Sequence, residues 1–445
     1  MPLFFIKDTL MLAQEIIRLK RDGKTLTPEQ INDFIDGVND WSIADGQIAA
    51  MMMALLINGM DVKELTCFVN ALVDSGMVIG WNGLNDNAPV TGFAAMPGVG
   101  DKLEIIAAPL LAACGAVVPM ISDRMQYHAG GSLDKLEGIK GFSSRPSISR
   151  FKRIVAEAGC GFSAPTEEIV PADSRIQAIR DVSATVNSLP LLVISLMAKK
   201  IAAGVKNLTV DIKVGNGAFT ETQQQADECA ALIKEAGKAA GIDTQTTFSP
   251  MNHVIGTTVG NSLEIAEITQ FLTSSANERH PEINALVLRV CAEVLVHAKI
   301  AETKEQAETM LTKALDSGKA AEHFGRMLTA QGVSPDFLNR PDAYLPTAQI
   351  VRPVYPEKEG YVDSMNLRWL GLSLIEMGGG YLYLEHKIDY AVGYSNLCKP
   401  GDFVSPRVPL AFVHANDSAV ADEAAIHLRG AVSISENVLP NAWHF

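Results

Sequence analysis

Thr91-Gly92-Phe93-Ala94-Ala95-Met96-Pro97-Gly98-Val99-Gly100-Asp101-Lys102-Leu103-Glu104 follows a short apolar opening, Pro89-Val90, and precedes the apolar segment Ile105 to Cys114. Pro97, Gly98 and Gly100 break periodicity, after which the chain takes up helical spacing. The pattern predicts strand, glycine-rich turn and helix, a shape whose backbone N–H groups and helix N-terminus can approach an anion closely. The turn is chemically bare, however. Between Gly92 and Asp101 there is no Lys, Arg, Ser or His, and the predicted helix opens with Asp101 and Glu104. The loop has the shape of an anion cradle without its chemistry.

Outward from this stretch, short apolar runs alternate with helices. Ala116 to Ile121, ending at Ser122-Asp123-Arg124, and Leu208 to Val214, followed by Gly215-Asn216-Gly217, are predicted strands. Ser183 to Ala203 between them is a predicted apolar helix with Ser188, Ser195 and Lys199 as polar members. Such alternation predicts a mostly parallel sheet, with ligands outside the carboxyl ends of its strands. The loops after Val90, Ile121 and Val214 are thus expected to meet at one crevice.

Toward the N-terminus the pattern is purely helical. Asp8 is placed to cap a helix ending at Asp22-Gly23, and Thr27 to begin a second. Ile43 to Ile57 forms a third, apolar around most of its circumference, and Val62 to Ser75 a fourth. The third is expected to be buried on several sides, in a bundle or against a second subunit. Beyond Tyr344, prolines and glycines punctuate short β-type runs, including Tyr381 to Leu384 and Leu410 to Val413. The fold class is therefore α/β: an all-helical domain (1–75 and 172–203), an α/β domain (85–171 and 204–343) and a C-terminal α+β domain (344–445).

At 445 residues, 47% apolar and 20% charged, the chain can bury several cores. A formal net charge of −14 argues against nonspecific nucleic-acid binding. Six cysteines without C-x-x-C spacing read as reduced thiols. Lys7 and Asp8 interrupt the apolar start, and no window has the length of a membrane span. A soluble cytoplasmic protein is expected, with no nucleic-acid or membrane partner. The histidines show no metal spacing, so neither metal nor cofactor is implied.

Several motifs together resemble the thymidine and pyrimidine-nucleoside phosphorylase family. They are Ala13-Gln14-Glu15-Ile16-Ile17 with Lys20-Arg21-Asp22-Gly23, Gly98-Val99-Gly100-Asp101, Pro119 to Ser122, Gly130 to Glu137, Arg180 to Val186, Lys213 to Phe219 and Ile388 to Gly393. They occur in the family's order over nearly the whole chain. The resemblance implies a homodimer built through the helical domain and an active site in a cleft closed by domain rotation. It also implies that Arg180, Ser195 and Lys199 bind the pyrimidine. Ser195 and Lys199 lie four apart, on one helix face, where both can reach one planar ligand. Without the resemblance, a solvated lysine and a buried serine would be the ordinary reading.

The family's phosphate half is altered. Its phosphate-binding lysine falls on Phe93, its base-contacting histidine on Ala94, and two phosphate-binding serines on Ala95 and Glu104. Ser122 and Ser132 keep hydroxyls, Gly98 and Gly100 keep the turn, and Asp123 stands where relatives have glycine. The flanking loop, Met125 to His128, is also rewritten. Losing one cation and two hydroxyls while gaining two carboxylates removes most of the binding energy for a dianion. The expectation is cleavage of a pyrimidine nucleoside's N-glycosidic bond by water, with Glu104 and Asp123 as candidate catalytic carboxylates. Their ordinary readings are a helix-terminus charge and a turn residue. Surviving phosphorolysis and a catalytically silent nucleoside-binding paralogue are the alternatives.

Overall fold

The computed structural model describes residues 11–82, 88–124 and 127–437. Asp8, expected as a helix cap, lies outside these residues, as do Met125 and Gln126 of the rewritten loop. Four helices open the described chain: α1 (Ala13–Arg21), α2 (Pro28–Asn39), α3 (Asp45–Asn58) and α4 (Val62–Asp74). Reciprocal capping boxes start two of them, Thr27 with Gln30 for α2 and Asp61 with Glu64 for α4. Among the described residues no helix is long and apolar enough to cross a membrane.

The middle of the chain runs β1 (Thr91–Ala95), α5 (Leu103–Ala113), β2 (Val118–Ile121), α6 (Ser132–Glu137), α7 (Ile148–Ala158), β3 (Cys160–Ser163), α8 (Pro171–Val182), α9 (Leu189–Ala202), β4 (Asn207–Val214), α10 (Gln223–Ala239) and β5 (Asp243–Pro250). Helices α11 (Asn261–Thr273), α12 (Pro281–His297), α13 (Lys304–Asp316) and α14 (Lys319–Ala330) follow. Strands β1, β4 and β5 pair in parallel with β4 in the centre, and β2 pairs in parallel with β3. A parallel bridge between Val90 and Val117 joins the two sets. The sheet order is therefore β3-β2-β1-β4-β5.

Helices α8 and α9 leave this sheet to pack on the N-terminal bundle, α8 against α2 and α3, and α9 against α4. Phe34, Met51, Leu55, Leu65, Phe68 and Leu72 are buried there together with Ile176, Val193 and Met197. Helix α3 buries Met51 and Met52 but leaves Met53 and Ile57 exposed.

The last part holds β6 (Ile350–Val354), β7 (Gly360–Met365), α15 (Leu367–Leu374), β8 (Gly393–Ser395), β9 (Phe403–Val404), β10 (Ala411–Ala415), α16 (Ser418–Ala431) and β11 (Val432–Ser435). Its strands form two antiparallel sheets, β6-β10-β8 and β11-β7-β9.

Three local expectations need correction. The helix expected over 183–203 begins only at Leu189. Helix α8 runs to Val182, Ala184 takes a left-handed φ of 56°, and Pro190 can sit only in the first turn of a helix. Tyr381 to Leu384 is not a strand: Gly378, at φ 93°, ends a wide helical turn, and the chain folds back with the N–H of His386 donating to the carbonyl of Tyr383. The loop after Val214 does not line the crevice. Asn216 bonds Met365 and Leu367, so this loop docks the C-terminal part and backs the glycine loop through the Val99–Gly217 hydrogen bond.

One ion pair locks the helical module. Both Glu64 carboxylate oxygens accept from Lys20 Nζ at 2.8 Å, and they also take the N–H groups of Leu26 and Asp61. Removing one partner of a buried pair leaves an uncompensated charge. Glu64→Ala is expected to lower stability by about 3–5 kcal/mol, and the Lys20→Met, Glu64→Leu double variant by clearly less. Thermal and urea unfolding of the three proteins checks this; a double variant as unstable as the single one would refute it.

Candidate functional site

The cleft lies between the glycine loop, the loop after β2, the N-terminus of α6 and the side of α9 that carries Leu192, Ser195 and Lys199. Strand β1 sets its back wall. Side chains alternate along a strand, so Phe93 enters the core beneath α5 with Ile106 and Leu110, while Ala94 and Met96 face the other way. Phe93, expected to line the altered phosphate site, does not do so, for this reason. Gly100 is also turned away. It holds φ 72° and packs so tightly on Val254 that a Cβ there would come within 2.7 Å. Gly98, by contrast, lines the cleft with Ala94 and Ala95.

Glu104 projects from the first turn of α5 into this space. Its Oε2 accepts from Ser132 Oγ at 2.8 Å and from Ser122 Oγ at 3.3 Å, and its Oε1 accepts from the N–H of Ala95 at 3.3 Å. The ammonium of Lys200 lies 3.9 Å from Oε1. One backbone donor, two hydroxyls and one cation therefore converge on this chain's own carboxylate.

Across the cleft, Lys199 Nζ donates to Ser195 Oγ at 2.5 Å and to Asp173 Oδ2 at 3.1 Å, and lies 2.7 Å from Asp123 Oδ1. Ser195 in turn donates to Asp173 at 2.9 Å. Burial alone would depress Lys199, but Asp123 and Asp173 outweigh it and hold the amine above the usual lysine range. For Asp173 burial wins, and its carboxyl is pushed up against the pull of Lys199. Lys200 is pulled down by burial, with Glu104 opposing.

Arg180, expected at the pyrimidine, does not line the cleft. Its guanidinium donates to Gln177 Oε1 and to the carbonyls of Thr185, Val186 and Leu191, which pins the α8–α9 connection. Burial lowers it to about 10. Gln177, in contact with Arg180, is the residue that reaches the cleft.

Among the participants that escaped the reading of the sequence are Lys200, Asp173, Gln177 and Lys135. Lys200 had a signal, because it lies four residues beyond cleft-lining Leu196 in an otherwise apolar helix. Asp173 and Gln177 had none, since their place depends on how α8 docks on α9.

With this geometry in hand, comparisons identify the kinship. Residues 96–321, just over half of the chain, match the glycosyl transferase family a/b domain. Residues 14–76 match that family's helical bundle domain, and residues 361–435 match the pyrimidine nucleoside phosphorylase C-terminal domain. The chain belongs to this glycosyl transferase family. A solved structure, anthranilate phosphoribosyltransferase from Thermus thermophilus, superposes with a TM-score of 0.56 at 16% identity, covering 71% of this chain and 99% of that one. At that identity the likeness is one of fold. As a family member the chain combines a helical bundle, a parallel α/β domain and a phosphorylase-type C-terminal domain, the architecture expected from its motifs.

Asp181, next to Arg180, accepts from the N–H of Tyr127 at 2.7 Å. Burial raises it to about 6, opposed by that N–H and by Arg180. The folded protein therefore holds the acid's proton more tightly than the unfolded chain. Stability is lost as pH climbs from the unfolded value, about 4, through the folded one, and the loss persists above it. Asp181→Asn removes the penalty and should raise the unfolding midpoint near pH 8 while leaving it unchanged near pH 4. Equal shifts at both pH values would refute the assignment.

Proposed function

We propose that this protein breaks the N-glycosidic bond of a pyrimidine nucleoside with water as acceptor. The observation that carries the reading is the position of Glu104. The hydroxyls of Ser122 and Ser132 and the N–H of Ala95, donors that would suit an incoming oxyanion, are taken by this carboxylate. A phosphate entering here would meet a like charge at contact distance, an interaction of about 4 kcal/mol per charge pair at an effective dielectric constant of about 20.

The two sides of the cleft then divide the chemistry. Ser195 and Lys199 donate to the base carbonyls and stabilise the negative charge that grows on the departing pyrimidine. At the other side Glu104 faces C1′ of the sugar. Its charge stabilises the oxocarbenium-like centre, and it accepts a proton from the attacking water. The water oxygen bonds to C1′ as the C1′–N1 bond breaks. That bond's electron pair leaves with the base, which takes up a proton from solvent, and Glu104 returns the proton it took from water to solvent. Gln177 orients beside Ser195, held by Arg180. The cycle needs no cofactor. The partner in assembly is a second copy of this chain, docked on the helical module where Met53 and Ile57 of α3 are exposed.

The deciding experiment incubates the protein with uridine, thymidine and cytidine, with and without phosphate, and separates free sugar from sugar 1-phosphate. Free base and free sugar are expected without phosphate. Product only with phosphate would establish phosphorolysis, and binding without turnover a silent paralogue. Glu104→Gln should slow turnover by about 10²–10⁴-fold with affinity retained. Lys199→Ala should weaken nucleoside binding by at least about tenfold. A fully active Glu104→Gln variant would sink the mechanism.

A further inference from the structure

We propose that Lys200 and Glu104 together hold the attacking water, Lys200 Nζ donating to its oxygen and Glu104 Oε1 accepting one of its hydrogens. The inference rests on the hydrolytic reading above and adds the seat of the nucleophile.

Lys200 is a cleft-lining cation short of acceptors. Its side chain is only 3% exposed, and an ammonium has three N–H donors. Among the described residues one of them makes a hydrogen bond, a long one of 3.4 Å to the carbonyl of Ile121. Glu104 Oε1 lies at 3.9 Å, too far to accept directly. The other buried lysines nearby are served differently. Lys199 has three acceptors within 3.1 Å, and Lys102 has three carbonyls within 2.9 Å. A buried donor without an acceptor is costly, so the Lys200 ammonium favours an additional oxygen beside it.

Glu104 offers the matching acceptor. Its Oε2 takes both hydroxyls, Ser132 at 2.8 Å and Ser122 at 3.3 Å, whereas Oε1 takes the N–H of Ala95 at 3.3 Å. A carboxylate oxygen can accept two hydrogen bonds, so Oε1 keeps a lone pair, and Oε1 is the oxygen that Lys200 approaches. A span too long for a direct bond is short enough for one oxygen about 2.8 Å from each group. Both groups line the same cavity of about 60 Å³, room for a few waters. A water so seated accepts from the ammonium through one lone pair, gives one hydrogen to Oε1 and keeps its second lone pair for C1′. As the O–C1′ bond forms, that O–H bond breaks and its proton passes to Oε1, while the C1′–N1 pair leaves with the base. Lys200 neither gains nor loses a proton.

The test compares the intact wild type with Lys200→Met and Lys200→Gln, using whichever of uridine, thymidine and cytidine is cleaved fastest without phosphate. Matched unfolding midpoints are the folding control. Methionine removes the donor at similar length, and glutamine keeps a neutral one. Lys200→Met should lower kcat by about 10–100-fold with KM unchanged, and Lys200→Gln should recover part of the loss. Added methanol gives a readout that a merely structural role would not move. A seat built for water discriminates against methanol, so the ratio of methyl glycoside to free sugar should rise in Lys200→Met and lie between the two in Lys200→Gln. Unchanged kcat and product ratio in both variants overturn the water seat and leave hydrolysis standing. A raised KM at unchanged kcat assigns the ammonium to the sugar and overturns the seat as well. No base release by the wild type without phosphate overturns the hydrolytic reading, and the water seat with it.

Discussion

The cleft depends on a buried ammonium that never touches it. Lys102 is almost wholly inaccessible, and its Nζ donates to the carbonyls of Gly100 at 2.8 Å, Ile255 at 2.7 Å and Thr258 at 2.9 Å, with Glu267 at 3.2 Å. An unpaired charge so placed would cost several kcal/mol. Paired in this way, it ties the glycine loop to the loop that precedes α11. Lys213 forms a second tie. It lies between Asp211 at 2.5 Å and Asp101 at 3.5 Å, and Asp101 also accepts from the N–H of Leu103. With the loop held from behind by two lysines, α5 starts at a fixed place and Glu104 can point only forward into the cleft.

This arrangement explains why a loop with no facing cation still borders a charged site. The lysines of the loop and of β4 are spent on its support. Of the cations that reach the cleft, Lys199 and Lys200 come from α9 and Lys135 from α6, and each has a carboxylate of this chain as neighbour. The positive charge of α9 is thus met by negative charge from α5, α8 and the loop after β2. Their mutual position is set by the packing of α9 between the helical module and the sheet. A small displacement of α9 would change every one of these pairs together.

The sequence displayed the elements more openly than the faces they present. Thr27 with Gln30 and Asp61 with Glu64 announce α2 and α4, because capping is a local interaction between residues three apart. The pairing of Ser195 with Lys199 is equally local. Phe93 shows the opposite case: a motif resemblance assigns a residue to a position, but strand alternation decides which side of the sheet it serves. Arg180 could not be read either, since its carbonyl partners exist only once Ala184 turns left-handed and the α8–α9 connection closes around the guanidinium. For Tyr381 to Leu384 the apolar run looked like a strand, yet a strand needs a neighbour, and the fold-back after Gly378 supplies none among the described residues. The resemblance to nucleoside phosphorylases carried the architecture further than periodicity could, but it was silent on Asp173, Gln177 and Lys200.

A site whose charges are already paired internally is stable when empty and selective when filled. Any ligand must recover the free energy of the pair it breaks, so its observed affinity is lowered by the fraction of time that the pair is open. Glu104 is gripped by donors from β1, from the loop after β2 and from the start of α6, so displacing it would strip three groups of their acceptor at once. Asp123, partly exposed, shares Lys199 with Asp173 and Ser195. Positive charge in the cleft is therefore met by this chain's own carboxylates on both sides before any ligand arrives.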